Sequence, residues 1–317
     1  MSLAVKFASK SKMHPRNLHN QGYDFDKLIV VCPELTNYLV TTPRGETSIN
    51  FSNPVAVKLL NKALLHQYYG IKHWQLADGF LCPPIPGRVD SLHYIADLLA
   101  ATLKVPVKKL KHCNIKGLDI GCGANLIYPL LGNSVYGWQF VASDINQPSI
   151  QAANHLIESN ALNDEIECRW QPELKSIFNN IIQPNEYYDF TMCNPPFHRS
   201  AEEANTGTQR KQTNLKVNSQ QRGARLTGLS VGGLNFAGQH NELWCEGGES
   251  AFICRMIAES KQYRQQCGWF TSLVAKKDNL SAIKKALKKA NVKDQKIINM
   301  SQGQKISRMI CWSFDKK

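Results

Sequence analysis

From about residue 112 the chain alternates short apolar runs with amphipathic stretches, the pattern of strands and helices in turn. Residues 115–120 read as a buried strand that runs into a glycine turn through Ala124, and residues 125–128 open a helix. A second strand, 136–143, ends in Asp144; a third spans 166–170; a fourth, 187–193, stops at Asn194-Pro195-Pro196-Phe197. The alternation pauses over the polar, glycine-rich stretch from 198 to about 241, then resumes. A helix through Ala251, Phe252, Met256 and Ile257 precedes a fifth strand at 269–275, and 296–300 with 307–314 form a terminal hairpin. Strand–helix alternation of this kind predicts an α/β fold, a doubly wound sheet of seven strands with ligands at their carboxyl ends.

The first 110 residues follow a different rule. Ser52-Asn53-Pro54 is a helix start ahead of the apolar spacing in 55–65. A proline-rich break at 82–88 then precedes a second helix through Leu92, Ile95, Ala96, Leu99 and Leu103. We therefore divide the chain into a helical N-terminal region, 1–110, and an α/β domain, 111–317, with a basic insertion at about 198–241. An insertion that long without apolar periodicity is functional or unstructured, and its arginines and lysines suit a mobile lid that orders on RNA.

Composition narrows the partner. In 317 residues the formal charge is +13, and residues 276–317 hold twelve Lys or Arg against three Asp. That bias is an electrostatic footprint for nucleic acid. On a helix around Lys284, Lys285, Lys288 and Lys289, with Ile283 and Leu287 inward, the same lysines also describe a solvated face. Ten cysteines lie scattered without a C-x-x-C pair, and no secretory leader precedes Met13, so they read as reduced thiols of a cytoplasmic protein. No apolar run reaches eighteen residues, which argues against a helical membrane span.

Two motifs carry chemistry. Gly121-x-Gly123 lets the backbone approach a ligand, and Asp144, 25 residues after Asp119, stands where ribose hydroxyls are held. A dinucleotide site shares those features, but here the third glycine is missing, an Asp precedes the turn, and Asn-Pro-Pro-Phe follows two strands later. That tetrapeptide suits methylation of an unreactive amine. The Asn194 side-chain carbonyl and the Pro195 backbone carbonyl accept both N–H bonds of a flat nitrogen and free its lone pair. Pro195-Pro196 fixes the turn in advance, and Phe197 offers a face for a flipped base. The same tetrapeptide is also an ordinary strand-ending turn.

Together these elements resemble a class I S-adenosylmethionine-dependent methyltransferase. The resemblance sharpens at His14-Pro15-Arg16-Asn17, Ile49-Asn50-Phe51-Ser52-Asn53-Pro54, Pro84-Ile85-Pro86-Gly87-Arg88, the run from Asp119 to Gly132, Asn194-Pro195-Pro196-Phe197 and Glu246-Gly247-Gly248-Glu249. In this order, over nearly the whole chain, they resemble the bacterial 23S ribosomal RNA adenine N6-methyltransferase family, the RlmF type. The resemblance implies S-adenosyl-L-methionine as donor, an adenine of 23S ribosomal RNA or of a large-subunit assembly intermediate as acceptor, and an N-terminal part that helps hold RNA. It places Gly121 and Gly123 at the amino-acid end of the cofactor, Asp144 at its ribose and Asp119 close beneath. Asn125 stands where many class I enzymes have Gly. Gln171 is an adenine-ring contact or a surface residue, and Arg88 meets the methionyl carboxylate or makes a surface salt bridge. His14 and Arg16 are candidates for RNA contact or for structure. The implied reaction is direct in-line transfer without metal or covalent intermediate. Glutamine N5-methylation of a translation factor, a non-catalytic RNA-binding scaffold and DNA adenine methylation stay as alternatives.

Overall fold

The N-terminal region is built on helix ends that its sequence caps. A computed structural model of the protein describes residues 13–196, 198–200, 203, 244–302 and 305–315. Helix α1 (Phe25–Val31) leads to a small antiparallel hairpin of β1 (Leu39–Thr41) and β2 (Thr47–Ile49), which the apolar pattern does not announce. Helix α2 (Pro54–Tyr69) starts as predicted: the Asn53 side chain accepts from the amides of Val55 and Ala56, and Pro54 fills the first turn. Gly70, at φ 67°, closes it. Helix α3 spans Ile85–Leu103, so residues read as a proline-rich break are its first turn. Proline is tolerated there because the first amides of a helix have no intrahelical partner.

The His14-Pro15-Arg16-Asn17 motif clamps the chain to α3. His14 Nε2 lies 2.8 Å from Asp97 Oδ2, and the Arg16 guanidinium pairs with Asp97 at 2.8 Å while donating to the His93 carbonyl at 2.7 Å. Asn17 Nδ2 donates to Asp90 at 2.9 Å. Buried His14 and paired Arg16 are thus spent on structure.

The sheet contains β3 (Lys116–Ile120), β4 (Gln139–Asp144), β5 (Ile166–Trp170), β6 (Tyr188–Cys193), β7 (Cys267–Val274), β8 (Asp294–Gln302) and β9 (Lys305–Ser313). Its order is β5-β4-β3-β6-β7-β9-β8, with β9 antiparallel to both neighbours. Connecting helices are α4 (Ile127–Tyr136), α5 (Gln147–Ser159), α6 (Gly248–Ser260) and α7 (Leu280–Lys289). The second strand begins at Gln139 rather than Tyr136. Tyr136 ends α4, Gly137 turns at φ 67°, and the buried Trp138 stacks on Tyr136 at 4.6 Å. Aromatic residues carry strand propensity, but here packing overrides it.

Side-chain alternation divides the core into two layers. Phe140 and Ala142 of β4 join α3, α4, α5 and the N-terminal helices on one face, whereas Val141 joins α6 and α7 on the other. Gly117 is required in the first layer, because a Cβ there would come within 2.6 Å of Phe190 and 2.7 Å of Phe140. On α7, Ile283 and Leu287 are buried and the four lysines between and beyond them are exposed. No helix among the described residues is long and apolar enough to cross a membrane.

Candidate active site

Strand register decides which distant residues meet. Ile120 pairs with Ser143 on one side and with Cys193 on the other, while Asp144 pairs with Trp170. Gly121, Asp144, Gln171 and Asn194 therefore stand at adjacent strand ends along one edge. At about 4.8 Å per strand, these four ends span roughly 14 Å. Strand order reverses at β3, and such a switch point opens a crevice at the carboxyl edge. A cavity of about 330 Å³ fills it, lined by Arg88, Gly121, Gly123, Asn125, Asp144, Gln171, Asn194 and Pro196 among the predicted residues. Asp119 and Pro195 are buried and do not line it; Phe197 and most of the basic insertion lie outside the described residues.

The cofactor-side loop is held by hydrogen bonds from end to end. Gly121 and Gly123 adopt φ 73° and 61°, which L side chains rarely do. The amides of Gly121 and Cys122 both donate to the Ser143 carbonyl, at 2.8 and 3.0 Å. Asp144 accepts from Gly123 N on one oxygen and from Asn146 N on the other, each at 2.9 Å. The Ile145 amide also acts on this carboxylate, which with four acceptor positions retains capacity for a further donor. Burial raises the Asp144 carboxyl above the usual range, and these backbone donors oppose the rise. Asn125 accepts from Ile127 N at 3.1 Å and donates to the Leu81 carbonyl at 3.3 Å, so it starts α4 and ties the loop to the N-terminal region. Gln171 is buried rather than at the surface; its amide bonds Asn179 O at 2.6 Å and Glu173 N at 3.0 Å.

Arg88 reaches the cavity from α3. One guanidinium nitrogen donates to Tyr128 Oη at 2.8 Å, and the cation sits 5.4 Å from the Tyr128 ring centre. Its Nε is buried without a partner, and it makes no ion pair among the described residues, so the surface salt bridge is not its role. Both Asp119 oxygens are also buried without hydrogen bonds. Burial pushes the Asp119 carboxyl up to about 8; Arg88 opposes the rise and Asp144 adds to it.

The loop after β6 is built differently. Among the described residues the Asn194 side chain makes no hydrogen bond, although it faces the cavity beside Pro196. The loop is steadied from outside: Cys245 N donates to the His198 carbonyl at 3.1 Å, and His198 bridges to Trp244. Gly247 and Gly248 take φ 78° and 69°, and a Cβ on Gly248 would meet Arg199 Cγ at 2.8 Å. Buried Glu249 accepts from Ala275 N at 2.6 Å, from Lys276 N and from Asn279, fixing the start of α6 to the end of β7. The Glu246-Gly247-Gly248-Glu249 motif is thus a joint between elements.

Sequence reasoning missed several site residues. Tyr128, Ile177, Phe252 and Arg255 line the cavity. Glu259 shapes its wall by accepting from the amides of Ile177, Phe178 and Asn179, the last two at 2.8 Å. Tyr128 lay inside the Asp119–Gly132 run, but no pattern singled out Arg255 or Glu259.

A reversed strand in a seven-stranded sheet, a glycine loop with an acid on the next strand, and Asn-Pro-Pro at the edge of one cavity define a class I methyltransferase. A family profile described as RNA methyltransferase matches residues 7–316, and the chain belongs to that family. "Ribosomal RNA large subunit methyltransferase F" of Flavobacterium johnsoniae is 52% identical over 310 residues, covering 97% of this chain and 95% of the relative. The protein of the same name from Photobacterium profundum is 48% identical over 316 residues, 97% of this chain and 93% of the relative. Among solved structures, the hMettl16 catalytic domain in complex with a MAT2A 3′UTR hairpin aligns with TM-score 0.75 and 27% identity, over 97% of this chain and 99% of that one. The N-terminal domain of human METTL16 in complex with SAH aligns with TM-score 0.74 and 26% identity, over 96% and 100%.

Proposed function

We propose that this chain transfers the methyl group of S-adenosylmethionine to N6 of an adenine in 23S ribosomal RNA. One observation carries the reading: a single cavity is shared by the pinned loop around Gly121 and Asp144 and by an Asn194 amide with no partner among the described residues. The names of the relatives and the RNA and SAH held by the structural neighbours support the substrate class and the donor.

The residues fit the donor. The buried, unpartnered Nε of Arg88 suits the methionyl carboxylate, and the remaining acceptor capacity of Asp144 suits a ribose hydroxyl. When bound, S-adenosylmethionine supplies a methyl made electrophilic by its positively charged sulfur. Asn194 Oδ1 and the Pro195 carbonyl accept the two amine hydrogens of the adenine, which directs the nitrogen lone pair toward the methyl. Pro195 and Pro196 hold these acceptors in place beforehand, so little reorganisation accompanies the reaction. Phe197 stacks on the flipped base, and the proton leaves to water. In this reading residues 111–317 are the catalytic domain, and residues 1–110 help to hold RNA in the cytoplasm. The partner is 23S ribosomal RNA or a large-subunit assembly intermediate.

A methyl-acceptor assay with labelled donor tests the assignment, using 23S RNA and translation-factor protein as competing acceptors. Label appearing as N6-methyladenosine is the expected result; label on protein glutamine, or on neither, would refute it.

A further inference from the structure

We propose that Arg255 binds a phosphate flanking the target adenosine, at the end of the cavity next to α6. The inference rests on the RNA-methylating function above and adds to it a site for the acceptor backbone. Arg255 lines the cavity and lies 5.8 Å from the ring centre of Phe252. Its Nε is buried with no hydrogen-bond partner, and it makes no ion pair among the described residues. A guanidinium partly withdrawn from water without a counter-ion is costly, so a cavity that keeps one there favours an anionic guest.

The methyl donor does not supply that anion. It carries one carboxylate, and Arg88 on the opposing helix α3 presents a buried, unpartnered donor for it. A second unpaired arginine therefore points to a second anion. Lys175 also lines the cavity, but it is exposed.

Arg255 acts electrostatically on Cys245, opposing the rise that burial imposes on that thiol, and this sets it beside the loop that follows β6. Helix α6 begins three residues after Cys245, whose amide holds the His198 carbonyl just beyond the acceptor loop. Its helix lines the cavity together with Asn194, Trp244 and Glu246. Extruding a base from its stack brings its sugar and phosphates to the mouth of the pocket. The planar fork of arginine matches phosphate oxygens, and such contacts fix register while leaving base identity to other groups.

The test compares adenosine, adenosine 5′-monophosphate and adenosine 3′-monophosphate binding to the full-length protein saturated with SAH, by NMR titration. One of the monophosphates should bind roughly 10-fold more tightly than adenosine, the scale of a charge-assisted hydrogen bond. Arg255→Gln should erase that advantage and leave SAH affinity unchanged, and Arg255→Lys should restore part of it. The proposal is overturned if adenosine matches both monophosphates, if the advantage survives in Arg255→Gln, or if that variant loses SAH affinity tenfold. Failure of the wild-type protein to form N6-methyladenosine would instead remove the function on which the proposal rests, and the nucleotide titration reads independently of it.

Discussion

The two halves of the cavity differ in how far their loops are bonded internally. At the ends of β3 and β4, most polar groups already have protein partners: Gly121 and Cys122 on Ser143, Gly123 and Asn146 on Asp144, Asn125 on Ile127 and Leu81. At the end of β6, the Asn194 amide has none among the described residues, and Arg255, which lines the same cavity, keeps an orphaned Nε. Internal bonds shape the first half before a ligand arrives, so it can bind with little further ordering. Among the described residues both halves keep unpaired groups, Arg88 Nε and the Asp119 carboxyl in the first and the Asn194 amide and Arg255 Nε in the second, but only in the second do they stand on the side proposed for the acceptor. Damage to the first half should weaken cofactor binding, and damage to the second should stop transfer.

The largest effect is expected from Asn194→Ala. Removing one acceptor aimed at the reacting nitrogen should lower kcat by roughly 10²–10³-fold, with SAH affinity by calorimetry unchanged. Asp144→Ala should do the reverse, weakening SAH by roughly 10–100-fold, the scale of hydrogen bonds to a charged group, with kcat at saturating donor much less affected. Equal losses of binding and turnover in both variants would break the division between halves.

Asp119 sharpens the comparison through pH. Folding favours its neutral form, so its stabilising contribution is full below the ordinary Asp value of 3.8 and is lost as pH rises toward and through about 8. His19 and His93 act with the opposite sign: burial lowers them to about 4 and about 3, so they destabilise the fold as pH falls below 6.5. Thermal unfolding without donor should therefore peak near pH 6.5, and Asp119→Asn should flatten the fall between 6.5 and about 8 while steepening the rise below 6.5. An unchanged alkaline limb in that variant would show that the carboxyl is ionised in the folded protein. The smallest effect belongs to Glu259→Gln. Weakening its grip on residues 177–179 should raise the SAH dissociation constant roughly threefold, for about 0.5–1 kcal/mol, with kcat unaltered in a steady-state assay.

Legibility in the sequence followed locality. The third strand was read at Ile166–Trp170, where β5 lies, because a short apolar run between turn signals has few other uses. Gly121, Asp144 and Asn194 were also visible, since each closes a strand and the sheet brings strand ends together. Proline misled at residues 85–88, where it starts a helix, and aromatic propensity misled at residues 136–138. Arg255 and Glu259 gave no signal because their work is non-local. Glu259 bonds amides some 80 residues away, and no spacing within α6 encodes that contact.

Asn194, whose amide has no partner among the described residues, is proposed to hold the adenine amine of ribosomal RNA for methylation. Mass spectrometry of nucleosides from the large-subunit ribosomal RNA of cells lacking this protein, complemented with wild-type or Asn194→Ala chain, tests it most directly. The account predicts one N6-methyladenosine lost on deletion, restored by the wild type and absent with Asn194→Ala at equal protein level. Unchanged N6-methyladenosine on deletion, or full restoration by Asn194→Ala, would contradict it.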